Sequence, residues 1–202
     1  MTEILNRRYP TAVTEAIIAR HFRLTPDDGE LYEHARRCVY NAFDTAEDYT
    51  NRIIVDSVAR FTLDAPEGSV FELPSAPVKE VLSVRYRGAD NEWHDIPSTD
   101  YRLMANAQRA RLRLLAVPDW AKDRTMAVEI EARCGFADYN PDDERDCEEG
   151  IALVGGIEQA VMLIAGTFFE FQADNVSGTI TSELHMSAKS LLNPWRIMPY
   201  GW

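Results

Sequence analysis

Residues 25–52 read TPDDGELYEHARRCVYNAFDTAEDYTNR, and no other stretch constrains the fold as strongly. Leu31, Ala35, Cys38, Val39, Ala42, Ala46 and Tyr49 recur at the three-and-four spacing of one helix face. Glu30, Glu33, Arg36, Arg37, Asp44, Glu47 and Asp48 fall on the other. Thr25 can cap the start, Pro26 suits the first helical position, and Asp28 stands where a capping box needs a carboxylate. Asn51 tolerates the left-handed backbone that often closes a helix. A helix with one apolar stripe must bury it, so the rest of the chain has to supply the cover.

Two other stretches share its period. Residues 13–24 predict a shorter helix with Val13, Ile17, His21 and Leu24 on one face and Thr11 or Thr14 as cap, His21 serving as a packed or capping residue. The very short turn that follows implies a helical hairpin. Residues 151–171 return to helical spacing through Ile157, Val161, Ile164 and Phe168, with Gly155-Gly156 allowing close helix packing. A last short helix is expected near 184–192, ended by Asn193-Pro194 after a polar loop at 173–183.

At Ile53 the period changes from helical to alternating. Strands are expected over 53–63, 70–73, 78–87, 101–104, 109–115 and 125–134, with turns at Ala65-Pro66-Glu67-Gly68 and Gly88-Ala89-Asp90-Asn91. The stretch 109–115 alternates Arg and Leu, which predicts a half-buried strand with one basic face. Gly135 ends this region. The order of elements implies an α+β fold: a helical module from both chain ends with an inserted antiparallel sheet or small sandwich. The expected division is 1–52 as an N-terminal helical hairpin, 53–136 as the β region, and 137–202 as an acidic loop, long helix and C-terminal tail.

The 202 residues suit one domain, or one domain with a sizeable insertion, and 46% hydrophobic with 27% charged residues is ordinary for a soluble globular chain. No run approaches a membrane span, and MTEILNRRYP lacks the apolar core of a secretory signal. Cys38, Cys134 and Cys147 form no CxxC pair, so a reducing cytosol is the expected place of synthesis. A formal charge of −12 argues against gripping nucleic acid through phosphate neutralisation, although an acidic wall can still lie beside DNA.

No catalytic or metal-binding pattern emerges, and no cofactor is expected. The acidic loop DYNPDDERDCEEG carries seven carboxylates between Asp138 and Glu149 but lacks the register of a calcium loop. Cys134 and Cys147 have no spacing for zinc, and there is neither a phosphate-binding glycine loop nor a nucleophile elbow. Two candidate contact surfaces remain. Phe168, Phe169 and Phe171 place aromatics on more than one side of a helix and are candidates for a subunit interface or for core. Residues 191–202, rich in aromatics, must either pack on their own domain or dock into a partner.

The chain resembles the head–tail connector proteins of tailed bacteriophages, the head-completion adaptors beneath the portal. The residues that carry this begin with Val13-Thr14, His21-Phe22-Arg23-Leu24 and Asp27-Asp28, then Ala35-Arg36 and Glu47-Asp48-Tyr49-Thr50-Asn51-Arg52. They continue with Glu72-Leu73-Pro74, Pro77-Val78, Val81, Val84, Tyr86, Tyr101-Arg102-Leu103, Gly135-Phe136, Phe168-Phe169-Glu170 and Leu191-Leu192-Asn193-Pro194-Trp195-Arg196. The family usually has Gly at the place of Asn51; the acidic loop and residues 197–202 are further departures.

What the resemblance implies is a non-enzymatic virion protein at the head–tail interface, made in the host cytoplasm. About a dozen copies would form a closed ring through a heterologous interface. The ring would meet the portal protein through the C-terminal segment, with Leu191, Leu192, Pro194, Trp195 and Arg196 as docking candidates, and a stopper or tail-completion protein on the other side. Genomic DNA would pass through the channel without specific binding, and no membrane is involved. The charged face of the long helix is the candidate for neighbour contacts or for an acidic channel wall. Competing readings are a hydrolase with carboxylates drawn from the acidic loop and sheet, or a monomeric β-rich binding module.

Overall fold

The computed structural model describes residues 1–136, 153–170 and 186–198. The chain forms two compact units, one of Met1–Arg8 with Val55–Phe136 and one of Tyr9–Ile54 with Ala137–Trp202. The fold is α+β with antiparallel sheets, as the sequence implies.

The helical unit is built on α2 (Glu30–Thr50), which packs against α1 (Thr11–Ile17), α3 (Gly155–Glu170) and α4 (Met186–Leu192). Its ends follow local chemistry. Thr25 and Asp28 form the expected capping box, with the Thr25 N–H donating to Asp28 Oδ2 at 2.6 Å, but the box closes a 3-10 turn over Pro26–Asp28. Gly29, at φ +57°, breaks that turn from the helix, which therefore starts at Glu30. Asn51 closes α2 in the left-handed conformation, at φ 53°.

The buried stripe of α2 is Tyr32, Ala35, Cys38, Val39, Ala42, Phe43, Ala46 and Thr50. Leu31, expected on this stripe, is 46% exposed. The stripe lies one residue further round the helix, so that Tyr32 and Phe43 enter the core in its place. Full burial of a ring like that of Phe43 favours folding by about 1.5–3 kcal/mol, which sets the rotation of the helix.

The first helix departs from a regular α-helix. After α1 the chain widens into a π-helical turn over Ile18–Phe22 and stops at Arg23, which takes φ 58°. The wider turn keeps adjacent Ile17 and Ile18 both buried. His21 is exposed and stacks edge-on against Phe22, with ring centroids 5.0 Å apart. The close crossing is at Gly166 of α3, where an added Cβ would lie 2.8 Å from His21 Nε2. Gly155 and Gly156, expected to serve close packing, stand at the start of α3 with nothing nearer than 3.8 Å.

The β unit holds two sheets. The larger has the order β1-β2-β8-β4-β5, formed by Thr2–Arg8, Asp56–Leu63, Val128–Cys134, Val78–Arg87 and Trp93–Asp95. The smaller has the order β3-β7-β6, formed by Val70–Glu72, Ala110–Leu114 and Tyr101–Ala105. All pairings are antiparallel. The central strand β8 alternates strictly: Val128, Ile130, Ala132 and Cys134 are buried, while Glu129, Glu131 and Arg133 are half-buried. Phe71 of the smaller sheet and Tyr86 of the larger both pack edge-on against Trp120, with centroids 6.3 and 5.6 Å away.

Strand β1 was not anticipated. It carries exposed Ile4 and Leu5 and no apolar alternation, so its pairing with β2 rests on backbone hydrogen bonds and the Glu3–Arg60 ion pair. The acidic loop and the loop at 173–183 lie outside the described residues.

Candidate functional site

The fold brings residues 47–52 and 191–196 together. The left-handed turn at Asn51 directs the chain sharply off the end of α2, leaving the Thr50 carbonyl open. That carbonyl accepts from the Ile197 N–H at 2.8 Å, and Asn51 Nδ2 donates back to the Ile197 carbonyl at 3.1 Å. The Tyr49 hydroxyl donates to Asn193 Oδ1 at 2.7 Å. Arg52 Nε donates to the Trp195 carbonyl, and the guanidinium carbon lies 6.0 Å from the Trp195 ring centroid. Arg196 covers the Tyr49 ring at 5.3 Å. Arg52 is almost wholly buried, and that burial draws its pKa below the usual arginine value.

The five candidate docking residues therefore divide. Leu192 belongs to the core, Leu191 and Trp195 are half-buried, and Pro194 and Arg196 are exposed. Up to Ile197 the tail packs on its own unit, and Met198 beyond it is largely exposed. Sequence reasoning missed Tyr49, Asn51, Arg52 and Asn193 as partners of this segment. The available signal was that both motifs carry complementary polar groups.

The aromatics of α3 divide as well. Phe169 packs 4.6 Å from Phe22 and 5.4 Å from His34, measured between ring centroids. Phe168 is half-buried, and Phe171 lies outside the described residues.

Several titratable groups among the described residues are ion-paired or buried. Burial pushes the Asp56 carboxyl upward, but hydrogen bonds and charge from Arg133 and Lys79 outweigh it, and the net shift is downward. Arg133 donates to Asp56 Oδ2 at 2.7 Å and Lys79 to Oδ1 at 2.8 Å. Arg60 joins Glu131 at 2.7 Å and Glu3 at 3.3 Å across β8, β2 and β1. Burial pushes the Cys134 thiol up to about 12, and raises Cys38 too, so neither carries thiolate at neutral pH. Cys38 Sγ lies 3.1 Å from His34 Nε2, and burial holds that imidazole below its ordinary pKa. Among the described residues no group of three or more His, Cys, Asp or Glu could hold a metal ion, and no helix is long and apolar enough to cross a membrane.

No family model matches the sequence, and no curated protein does either. Solved structures do match in fold. A chain in the neck of an empty gene transfer agent particle, computed with C6 symmetry, is similar with a TM-score of 0.70 at 23% identity. The match covers 100% of this chain and 97% of that one. A chain in the virion of the native gene transfer agent particle matches with a TM-score of 0.70 at 22% identity, over the same shares of each chain. A third, from the neck of the native particle computed with C12 symmetry, gives a TM-score of 0.63 at 21% identity, again over 100% and 97%. At these identities the likeness is one of fold, and it runs the whole length of both chains.

Proposed function

We propose that this chain is a structural protein of the neck of a phage-like particle, located in the virion at the head–tail interface. Its finer role in this reading is that of an adaptor: a ring of about a dozen copies beneath the portal, passing DNA to a stopper or tail-completion protein. The observation that carries the reading is the full-length fold likeness to a chain from a gene transfer agent neck, with both chains covered almost completely. The C6 and C12 symmetries of those necks support a ring of copies.

The chemistry of the chain agrees with a non-enzymatic role. Asp56 is held by Lys79 and Arg133, and the buried thiols of Cys38 and Cys134 are protonated at neutral pH. Portal docking is assigned to the exposed part of the tail, Pro194 and Arg196 with Met198 beside them, supported by the clamp that holds this segment on the end of α2. Phe168 is the α3 aromatic assigned to neighbour contact.

Negative-stain imaging of the purified chain, alone and mixed with its cognate portal, tests the reading. Rings, or portal particles capped by an added ring, are the expected result. A chain that stays monomeric and never binds the portal would overturn it.

A further inference from the structure

The outer face of the smaller sheet carries two cross-strand rows, Val70–Arg113–Arg102 and Glu72–Arg111–Met104. All six residues are exposed, as is Leu115 just past β7. The opposite side of β7, with Ala110, Leu112 and Leu114, is buried.

Arg102 and Arg113 are direct cross-strand partners, a placement that like charges disfavour. Neither has an ion pair among the described residues, and Arg111 reaches only Glu72, at 3.8 Å. The fold itself gains nothing from this repulsion; carboxylates brought from outside would relieve it. Arginines set among Val70, Met104 and Leu115, with no lysine, also have the composition of a protein interface.

A complementary surface stands where the 3-10 turn of Pro26–Asp28 meets α2. Asp27, Asp28 and Glu30 place three exposed carboxylates within four positions, the densest acidic run among the described residues. None of them has an ion pair there, and exposed Arg23, the nearest base in sequence, is not paired with them either. The capping box of Thr25 and Asp28 fixes the backbone of the run. Leu31 follows at once and is exposed, because the helix turns Tyr32 into the core instead. Negative charge beside an apolar side chain is what the arginine face lacks.

We propose that the Arg102–Arg111–Arg113 face of one copy seats the Asp27–Leu31 segment of a second copy, carboxylates on the arginines and Leu31 among Val70, Met104 and Leu115. The two patches are different and complementary, which is what a head-to-tail contact in a closed ring requires. Nucleic acid fits the face less well: phosphates would engage the arginines alone, leaving Val70, Met104 and Leu115 in water, and no aromatic ring lies on these rows for bases to stack on.

This contact presumes the ring of copies proposed above, and a charge swap tests the two separately. Four full-length chains are compared by sedimentation and negative stain, alone and with cognate portal: wild type, Arg102→Glu/Arg113→Glu, Asp27→Arg/Glu30→Arg, and the chain with all four changes. The wild type is expected to form rings that loosen with salt, and each double variant to associate roughly a hundredfold more weakly. The fourfold variant restores the opposite charges and is expected to recover most of the loss. Asp28 is left in place to keep the capping box. A base at a helix start costs some stability, so Asp27→Asn/Glu30→Gln and Arg102→Gln/Arg113→Gln replace any double variant that folds poorly by circular dichroism, with a loss of roughly tenfold expected of each. Rings of equal stability from all variants overturn this inference and leave the ring reading standing. Weaker rings that the fourfold variant does not rescue overturn the pairing of these two surfaces. A wild type that forms no ring even with portal overturns both readings. Unchanged rings with lost binding to duplex DNA also overturn the inference, and make the face a phosphate contact instead.

Discussion

The buried guanidinium of Arg52 donates to the main-chain carbonyl of Trp195, a residue 143 positions later, and lies against its ring. With the bonds from Tyr49 to Asn193 and between Thr50, Asn51 and Ile197, this contact fastens the C-terminal segment to the end of α2. Arg52→Ala should lower the stability of the helical unit by about 2–4 kcal/mol, because the half-buried carbonyl and ring of Trp195 lose a buried charged partner together. Arg52→Lys should recover less than half, since an ammonium cannot reproduce the planar fork. Urea unfolding followed by helical circular dichroism measures both; a lysine variant equal to wild type would contradict this account.

Truncation at residue 191 should destabilise the chain whether or not a portal is present. Leu192 is fully buried, and loss of such a side chain costs about 2–5 kcal/mol. Pro194→Asp with Arg196→Glu is the cleaner probe of docking. Both residues are exposed, so stability should change by less than about 1 kcal/mol while portal binding weakens. Co-sedimentation with portal beside a thermal melt distinguishes the two effects.

Gly135 and Gly166 should respond to alanine with losses of very different size. Gly135 sits at φ +102°, and an added Cβ would lie 2.2 Å from the Val55 carbonyl oxygen. Backbone cannot step aside there, so Gly135→Ala should cost more than about 2 kcal/mol. At Gly166 the obstruction is the far end of exposed His21, 2.8 Å away, and rotation of that ring should hold the cost of Gly166→Ala within about 1 kcal/mol. Denaturant midpoints of the two variants check the contrast.

Asp56 should make stability fall with acid. Its folded pKa lies below the unfolded value of about 3.9, so its contribution is complete above that pH and is lost as pH falls through the folded value. Asp56→Asn should therefore be less stable than wild type at neutral pH, by about 2–3 kcal/mol, with the gap closing below about pH 4. Unfolding midpoints measured from pH 7 down to pH 3 give the curve. A gap that stayed constant throughout would assign the loss to packing rather than charge.

Much of this structure was legible along the chain. The spacing of Ala35, Val39, Ala42 and Ala46 determined α2, and Asn51 its exit; the capping box of Thr25 and Asp28 formed, but on the 3-10 turn before the helix. The alternation of Val128 to Cys134 determined the central strand, because side-chain period is a local property of the backbone. The Arg–Leu alternation of 109–115 likewise determined a basic strand face. Tertiary packing decided what local pattern leaves open. Tyr32 and Phe43 displaced Leu31 from the core because burying larger rings outweighs a one-residue rotation of the stripe. Strand β1 pairs mainly through its backbone, and such pairing leaves no apolar alternation in the sequence. The meeting of Tyr49, Asn51 and Arg52 with the segment from Asn193 to Ile197, and of Arg102 with Arg113, depends on chain closure and strand register. Those are set by the whole core rather than by any one segment.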